Sequence, residues 1–474
     1  MSSGIPKLWT AEIISRALTL LGTMYIARII GVTMYGLVGY VAALTIYLTT
    51  FVRFGTDYII ARELSHEMPD TNFHQGVFRT SSVLFRGLLT LPALCCLIIL
   101  SLTADSEVIR RLFVASALGI IAVVVPLDAF FQSERKFGYM AASRILFNAL
   151  NLGIVLLWVN SSERAWVIPA ASGAAMIGTQ AFFVLKLKDL FVLPTLEDLW
   201  KAALFLGKES LPLLGSMTLL LLIGQFGIVA VRTFCSGKDL GLYVAAFKVT
   251  DLANAFVAQI AVVLFPTLVS IWKSDDAGRR NEQITKGITL ALPLMLLLLG
   301  LMLICGGELF SLLLGSQYSA ARSCAVPLTA VLVFRSVSMF YANGLVAGGQ
   351  QKMLMLIVMC SAATNLLLTV LFIRFFGYTG AAWANLCAFT VEHCLLLFAL
   401  RRYLALHKIF LICIKITAIF ASILAIILCV EAALSSIQLE EPFLRFGFGL
   451  LFSIVFFTVL IQRKIVDTSE FLSL

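Results

Sequence analysis

Five apolar stretches of this chain carry basic side chains within polar faces at helical spacing. Thr45, Thr49, Arg53 and Asp57 recur every fourth residue, which predicts one face of a helix. Glu12, Arg16, Thr19 and Thr23 make a second such face, Arg79, Ser82, Arg86 and Thr90 a third, and Arg144, Asn148 and Asn151 a fourth. Further on, Lys248 and Asp251 share a face with Gln259, and Asp128, Gln225, Arg335 and the Glu392-His393 pair stand as single polar groups in apolar runs. A guanidinium grips phosphate through a bidentate fork and keeps its proton while doing so. The chemistry these residues suit is therefore the holding of an anion. A bland alternative applies to Glu12–Arg16, Arg53–Asp57 and Lys248–Asp251, which are spaced to pair within one helix and so lower the cost of insertion. Arg79, Arg144 and Lys208, near helix ends, can likewise snorkel to the interface. Arg86 and Arg335 have no carboxylate three or four residues away, so pairing within their own helices does not explain them.

The elements that must position these groups are transmembrane helices. Of 474 residues, 60% are hydrophobic and 13% charged, and the mean hydropathy is +0.99. That composition excludes a soluble domain and defines an all-α polytopic membrane protein. About fourteen apolar runs of about 20 residues are present, from Leu8–Ile30 to Pro442–Ile461. Among them Leu37–Ile60 follows a turn marked by Gly31 and Gly36, and Arg111–Phe131 reads as one helix. Leu8–Ile30 is too long for a cleaved signal. A charge at the centre of a span costs roughly 2.5–3.5 kcal/mol on insertion scales, so charged faces are expected to line a hydrated, cationic cavity rather than lipid.

Basic residues cluster in alternate connections, at Arg135–Lys136, Lys186–Lys201, Lys273–Arg280, Lys352, Arg401–Lys408 and Arg463–Lys464. The positive-inside rule then places both termini in the cytoplasm. An internal repeat is also legible. Tyr40-Val41-Ala42-Ala43 returns as Tyr243-Val244-Ala245-Ala246, and Asn151-Leu152 with Gly173-Ala174-Ala175 returns as Asn365-Leu366 with Gly380-Ala381-Ala382. The offset is about six helices, an even number, which makes the repeat parallel. The expected organisation is a six-helix lobe over 1–189, a second over 190–404 with the cavity between them, and two further helices and a tail over 405–474. Leu196–Phe205, with Trp200, is amphipathic and expected on the cytoplasmic surface. The ten cysteines lack CxxC spacing and the four histidines lack metal-ligand spacing, so no metal or cofactor is expected.

Ala27-Arg28 with Gly31, Tyr35-Gly36, Arg53-Phe54-Gly55-Thr56-Asp57 and Arg62-Glu63 resemble the opening of bacterial polysaccharide-export flippases. So do Leu314-Gly315-Ser316-Gln317-Tyr318 and Phe376-Gly377-Tyr378-Thr379-Gly380. These flippases belong to the multidrug/oligosaccharidyl-lipid/polysaccharide exporter superfamily, and the likeness runs through nearly the whole chain. It implies a MATE-like fold and alternating-access export of undecaprenyl-pyrophosphate-linked glycan across the bacterial inner membrane. It also implies a proton or sodium counter-ion, and work alongside polysaccharide polymerase and chain-length proteins; no nucleic acid is involved. Many members carry an acidic residue where Arg53 stands, which moves an ion-coupling role to Asp57. The residues expected to grip substrate are Arg16, Arg53, Arg86, Arg144, Lys248 and Arg335; those expected to couple an ion are Asp57, Asp251 and Glu392. A peptidoglycan-precursor flippase is an alternative of the same architecture. A cation-coupled multidrug exporter fits less well, because its substrates are mostly cations. An intramembrane glycan polymerase or ligase usually needs a large external loop, and none is present.

Overall fold

A computed structural model describes residues 5–65, 71–134, 136–187, 192–273, 277–435 and 442–463. These residues form fifteen α-helices and no strand. They are α1 (Ile5–Arg53), α2 (Thr56–Leu64), α3 (Thr71–Leu102), α4 (Glu107–Ala122), α5 (Leu127–Ser133), α6 (Phe137–Trp158), α7 (Val167–Leu187), α8 (Leu196–Phe234), α9 (Gly237–Lys273), α10 (Ala277–Leu314), α11 (Arg322–Ala347), α12 (Gln351–Phe376), α13 (Tyr378–Leu400), α14 (Leu406–Ser435) and α15 (Pro442–Gln462). Thirteen segments among the described residues are long and apolar enough to span a membrane. The first, Ala11–Leu64, holds two of the expected runs, so the crossings match the fourteen read from hydropathy.

The breaks fall elsewhere than expected. Gly31 alone interrupts α1, through φ 77° and ψ 169°, and the helix resumes without a loop; Gly36 is helical. The run Leu37–Ile60 is not one helix. Phe54 (φ 51°) and Gly55 (φ 70°) both turn left-handed and end α1 at Arg53. The left-handed region is unfavourable for a bulky residue, and packing holds Phe54 there: its ring meets Phe51 and Phe85 edge-on at 6.2 and 5.9 Å. Gly55 has no room for a side chain, since a Cβ would stand 2.9 Å from Leu213 and 3.3 Å from the Ser210 carbonyl of α8. The run Arg111–Phe131 also divides, because Pro126 cannot continue α4 and residues 123–126 leave the helix. Leu196–Phe205 is no separate surface segment but the first turns of the continuous α8, with Trp200 exposed. Reciprocal capping boxes start two helices: Thr195 with Asp198 at α8, and Ser236 with Asp239 at α9.

The chain forms two compact units, Met1–Leu221 and Leu222–Leu474, the division falling within the residues of α8. The boundary expected at 189–190 lies outside the described residues. In the first unit α3 packs on α4, α4 on α7, and α6 on α7, while α1 lies against α3, α4 and α6. The second unit reproduces this order with α10 on α11, α11 on α13, and α12 on α13, while α9 lies against α10 and α11. Gly173 and Gly380, paired in the sequence repeat, are both pressed against backbone; a Cβ would fall 2.6 Å from the Gly119 nitrogen and 2.3 Å from the Phe372 oxygen respectively. The two last helices pack on α10 within the second unit. Phe420, Phe452 and Phe456 form their aromatic core, and Arg445 reaches Glu308 at 3.1 Å.

These contacts predict a contrast. Gly380→Ala lowers the thermal midpoint of the purified protein in detergent, by the equivalent of about 1–3 kcal/mol, because its Cβ meets a carbonyl that cannot retreat. Gly87→Ala, where a Cβ meets nothing within 4 Å, leaves the midpoint unchanged or slightly raised.

Candidate functional site

The polar face of α3 is buried. Arg79, Ser82, Arg86 and Thr90 expose between 0% and 5% of their surface, so this stripe packs inside the first unit and does not line a hydrated cavity. Arg79 does not snorkel: it pairs with Glu134 at 2.8 Å. Arg86 joins both breaks of this unit. Its Nε and Nη2 donate to Thr56 Oγ1 at 2.8 and 2.7 Å, and Nη2 also donates to Asp57 Oδ1 at 2.7 Å. Its Nη1 donates to the carbonyl of Val123, at the end of α4, at 3.3 Å. Thr56 in turn donates its hydroxyl to the Arg53 carbonyl at 2.7 Å. Thus one guanidinium satisfies backbone and side-chain acceptors released where α1 and α4 stop. Arg86 is paired after all, by a carboxylate of another helix, and offers no face to a ligand. The break at Phe54-Gly55 also removes Asp57 from the face of Thr45, Thr49 and Arg53. Arg53 itself is exposed and has no ion pair among the described residues.

A second constellation joins α1, α5 and α6. Arg16 Nε donates to Glu12 at 2.8 Å, as the spacing on one helix allows. Glu12 also accepts from Arg144 at 3.2 Å, and Arg144 reaches Asp128 at 3.5 Å. One turn on, Thr19 donates to Asn148 Oδ1 at 3.1 Å, while Asn148 donates to the Arg144 carbonyl. The polar faces of α1 and α6 therefore face each other. Glu12 and Asp128 are the residues that sequence reasoning left out of the site. Glu12 lies on a helix already marked by Arg16 and Asp128 on the short α5, but their pairing across helices has no spacing signature in the sequence.

In the second unit Lys248 is half-buried on α9 and makes no ion pair with Asp251 or any other described residue. Arg335 of α11 lies in electrostatic reach of Glu392 on α13 and Asp251 on α9, with its guanidinium 5.1 Å from the centre of the Phe389 ring. His393 Nδ1 and the Ser338 hydroxyl share a hydrogen bond of 2.8 Å, and Phe334 and Tyr341 flank the imidazole. No group of three metal-binding side chains occurs among the described residues. The structure thus gathers Arg16 with Arg144, ties Asp57 to Arg86, and groups Arg335 with Asp251 and Glu392. Arg53 and Lys248 carry charge without an ion pair, one in each unit.

The family model described as polysaccharide biosynthesis protein matches residues 3–272. The probable low-salt glycan biosynthesis flippase Agl15 of Haloferax volcanii is 23% identical over 399 residues, spanning 81% of this chain and 80% of that protein. Among solved structures, an inward closed lipid II flippase MurJ superposes with a TM-score of 0.74 at 15% identity, over 97% of this chain and 99% of its own. An inward-facing multidrug resistance MATE transporter gives 0.64 at 14% identity, over 85% and 98%. The fold is therefore that of the MOP superfamily, as the residues of the first helices implied.

The Arg86 contacts set a stability prediction. Arg86→Met leaves Thr56, Asp57 and the Val123 carbonyl without their donor and costs about 3–5 kcal/mol, as for other broken buried pairs. Asp57→Asn, which keeps an acceptor oxygen, costs less. Arg53→Ala leaves stability within about 0.5 kcal/mol. Thermal midpoints of the three detergent-solubilised variants measure this order.

Proposed function

Because the chain belongs to the polysaccharide biosynthesis family, we propose that it is a flippase that carries a lipid-linked oligosaccharide across a cell membrane by alternating access. The substrate assigned is an undecaprenyl-pyrophosphate-linked repeat unit of O-antigen, capsule or exopolysaccharide, and the membrane is the bacterial inner membrane with both chain termini cytoplasmic. The observation that carries the reading is that, of the six cations expected to grip substrate, Arg53 and Lys248 are left without carboxylate partners among the described residues while lying on membrane-spanning helices. Such charges are expensive in a membrane and are retained where an anion visits. The pyrophosphate head group supplies that anion. Arg16 and Arg144 are further contacts for it. Arg86 is reassigned from the substrate to the scaffold, and Arg335 is shared with two carboxylates.

Those two carboxylates, Asp251 and Glu392, carry the coupling role, exchanging a proton or sodium ion as Arg335 changes its distance from them. Asp57 holds Arg86 and is the weaker candidate. The glycan flippase relative supports sugar cargo, and the likeness to a lipid II flippase favours a second reading, transport of a peptidoglycan precursor. Both readings share the same head-group chemistry and differ in the strain that the protein rescues.

Complementation measures the proposal. The wild-type chain restores glycan export to a strain lacking its polysaccharide flippase. At equal protein level in the membrane, Arg53→Ala and Lys248→Ala reduce export by about tenfold each, as expected for the loss of one charge-assisted contact. Undiminished export by both variants removes the anionic-substrate reading. Rescue of a strain depleted of its lipid II flippase, without rescue of glycan export, establishes the second reading instead.

A further inference from the structure

Four charged side chains of the first unit form a chain whose charges cancel: Arg16, Glu12, Arg144 and Asp128, drawn from α1, α5 and α6. Two properties separate it from the Arg86 clamp. The first is access. The Arg86 side chain is 2% exposed, whereas Arg16 and Arg144 are 37% and 36% exposed and Asp128 is 54% exposed. The second is fit. Nη2 of Arg86 meets Asp57 at 2.7 Å, but the two terminal nitrogens of Arg144 meet two different carboxylates, at 3.2 and 3.5 Å. Charge-assisted contacts in a good fork are about 2.7–2.9 Å. The Arg144 fork is thus occupied loosely by two anions, neither of which spans it. A single phosphate presents two oxygens at the spacing the fork matches, and Arg16, which shares Glu12 with Arg144, stands ready to take a third oxygen.

We propose that Glu12 and Asp128 are resident counter-anions of the head-group site, which yield Arg144 and Arg16 to a phosphate of the substrate and reclaim them on release. The proposal rests on the flippase reading and adds a step to it. In the empty state the carboxylates keep the arginines neutralised inside the membrane. On loading, phosphate replaces carboxylate, and the returning carboxylates drive the phosphate off after transport. They act as built-in competitors, holding affinity low enough for turnover. An arrangement that served only to lower insertion cost lacks this competition, because there the carboxylates and arginines have no third partner.

The two roles predict opposite signs. The probe is inorganic pyrophosphate, titrated calorimetrically into the full-length protein in nanodiscs of zwitterionic lipid. As counter-anions, both carboxylates compete with phosphate, so removal of either charge tightens binding: Glu12→Gln by about tenfold, and Asp128→Asn, whose contact with Arg144 is the longer, by about threefold. The double variant binds tighter than either, and adding Arg144→Ala erases the gain. Arg144→Lys, which keeps the charge and loses the fork, retains only part of it. Thermal midpoints confirm that the variants compared are folded, and each single variant tests the idea independently of the other. Binding no tighter than wild type in both single variants overturns the proposal, as does absence of binding in the wild type and the double variant alike. Such a failure, with export still dependent on Arg53, leaves the flippase reading standing. Tightening without any complementation leaves the anion site and removes the flippase.

Discussion

Every polar backbone group that leaves a helix inside a membrane must find a partner in the protein, and Arg86 is where this chain meets that demand. Two helices stop inside apolar stretches, α1 at Phe54-Gly55 and α4 before Pro126. Their freed acceptors converge on one buried guanidinium, through Thr56, Asp57 and the Val123 carbonyl. Hydrocarbon offers no alternative partner, so the breaks and the arginine depend on each other. The second unit applies the same solution at the bend around Cys305 of α10, where Arg322 donates to the Leu303 carbonyl. Broken helices give a membrane protein places to bend, and arginines of neighbouring helices hold those places in register.

The same requirement sorts the charges of the chain into those that build and those that are available. Arg79 and Arg86 are buried with Glu134 and Asp57 and belong to the scaffold. Arg16 and Arg144 are paired but accessible. Arg53 and Lys248 keep a charge without an ion pair among the described residues. In the second unit the grouping of Arg335 with Asp251 and Glu392 puts cation and carboxylates within mutual influence without direct contact.

The spans were legible in the sequence because hydropathy is a direct readout of the solvent, and the repeat was legible because Gly173 and Gly380 are fixed by close backbone contact. The breaks were not equally visible. Gly55 is one of 32 glycines, and nothing local distinguishes it from the helical Gly36 or Gly87; the neighbours that leave it no room, Leu213 and Ser210, come from α8. Pro126 did carry a signal, which the surrounding apolar run masked. Periodicity also placed Asp57 on a face with Arg53, although two left-handed residues separate them. Spacing within a helix identified Glu12 with Arg16 but not Arg86 with Asp57, 29 residues away, because partners across helices are set by tertiary packing. The sequence exposed which residues were charged within the membrane, and only the structure distinguished the satisfied from the free.

The proposed function requires that this fold move an anionic lipid-linked glycan. Reconstitution tests it most directly. Purified protein is placed in liposomes containing a labelled undecaprenyl-pyrophosphate-linked oligosaccharide, and an added glycan-modifying enzyme reports the fraction of label that reaches the outer leaflet. A flippase of this kind gives protein-dependent translocation that Arg53→Ala slows by about tenfold. Translocation at the rate of empty liposomes, by protein shown to be folded and under an imposed proton or sodium gradient, contradicts it.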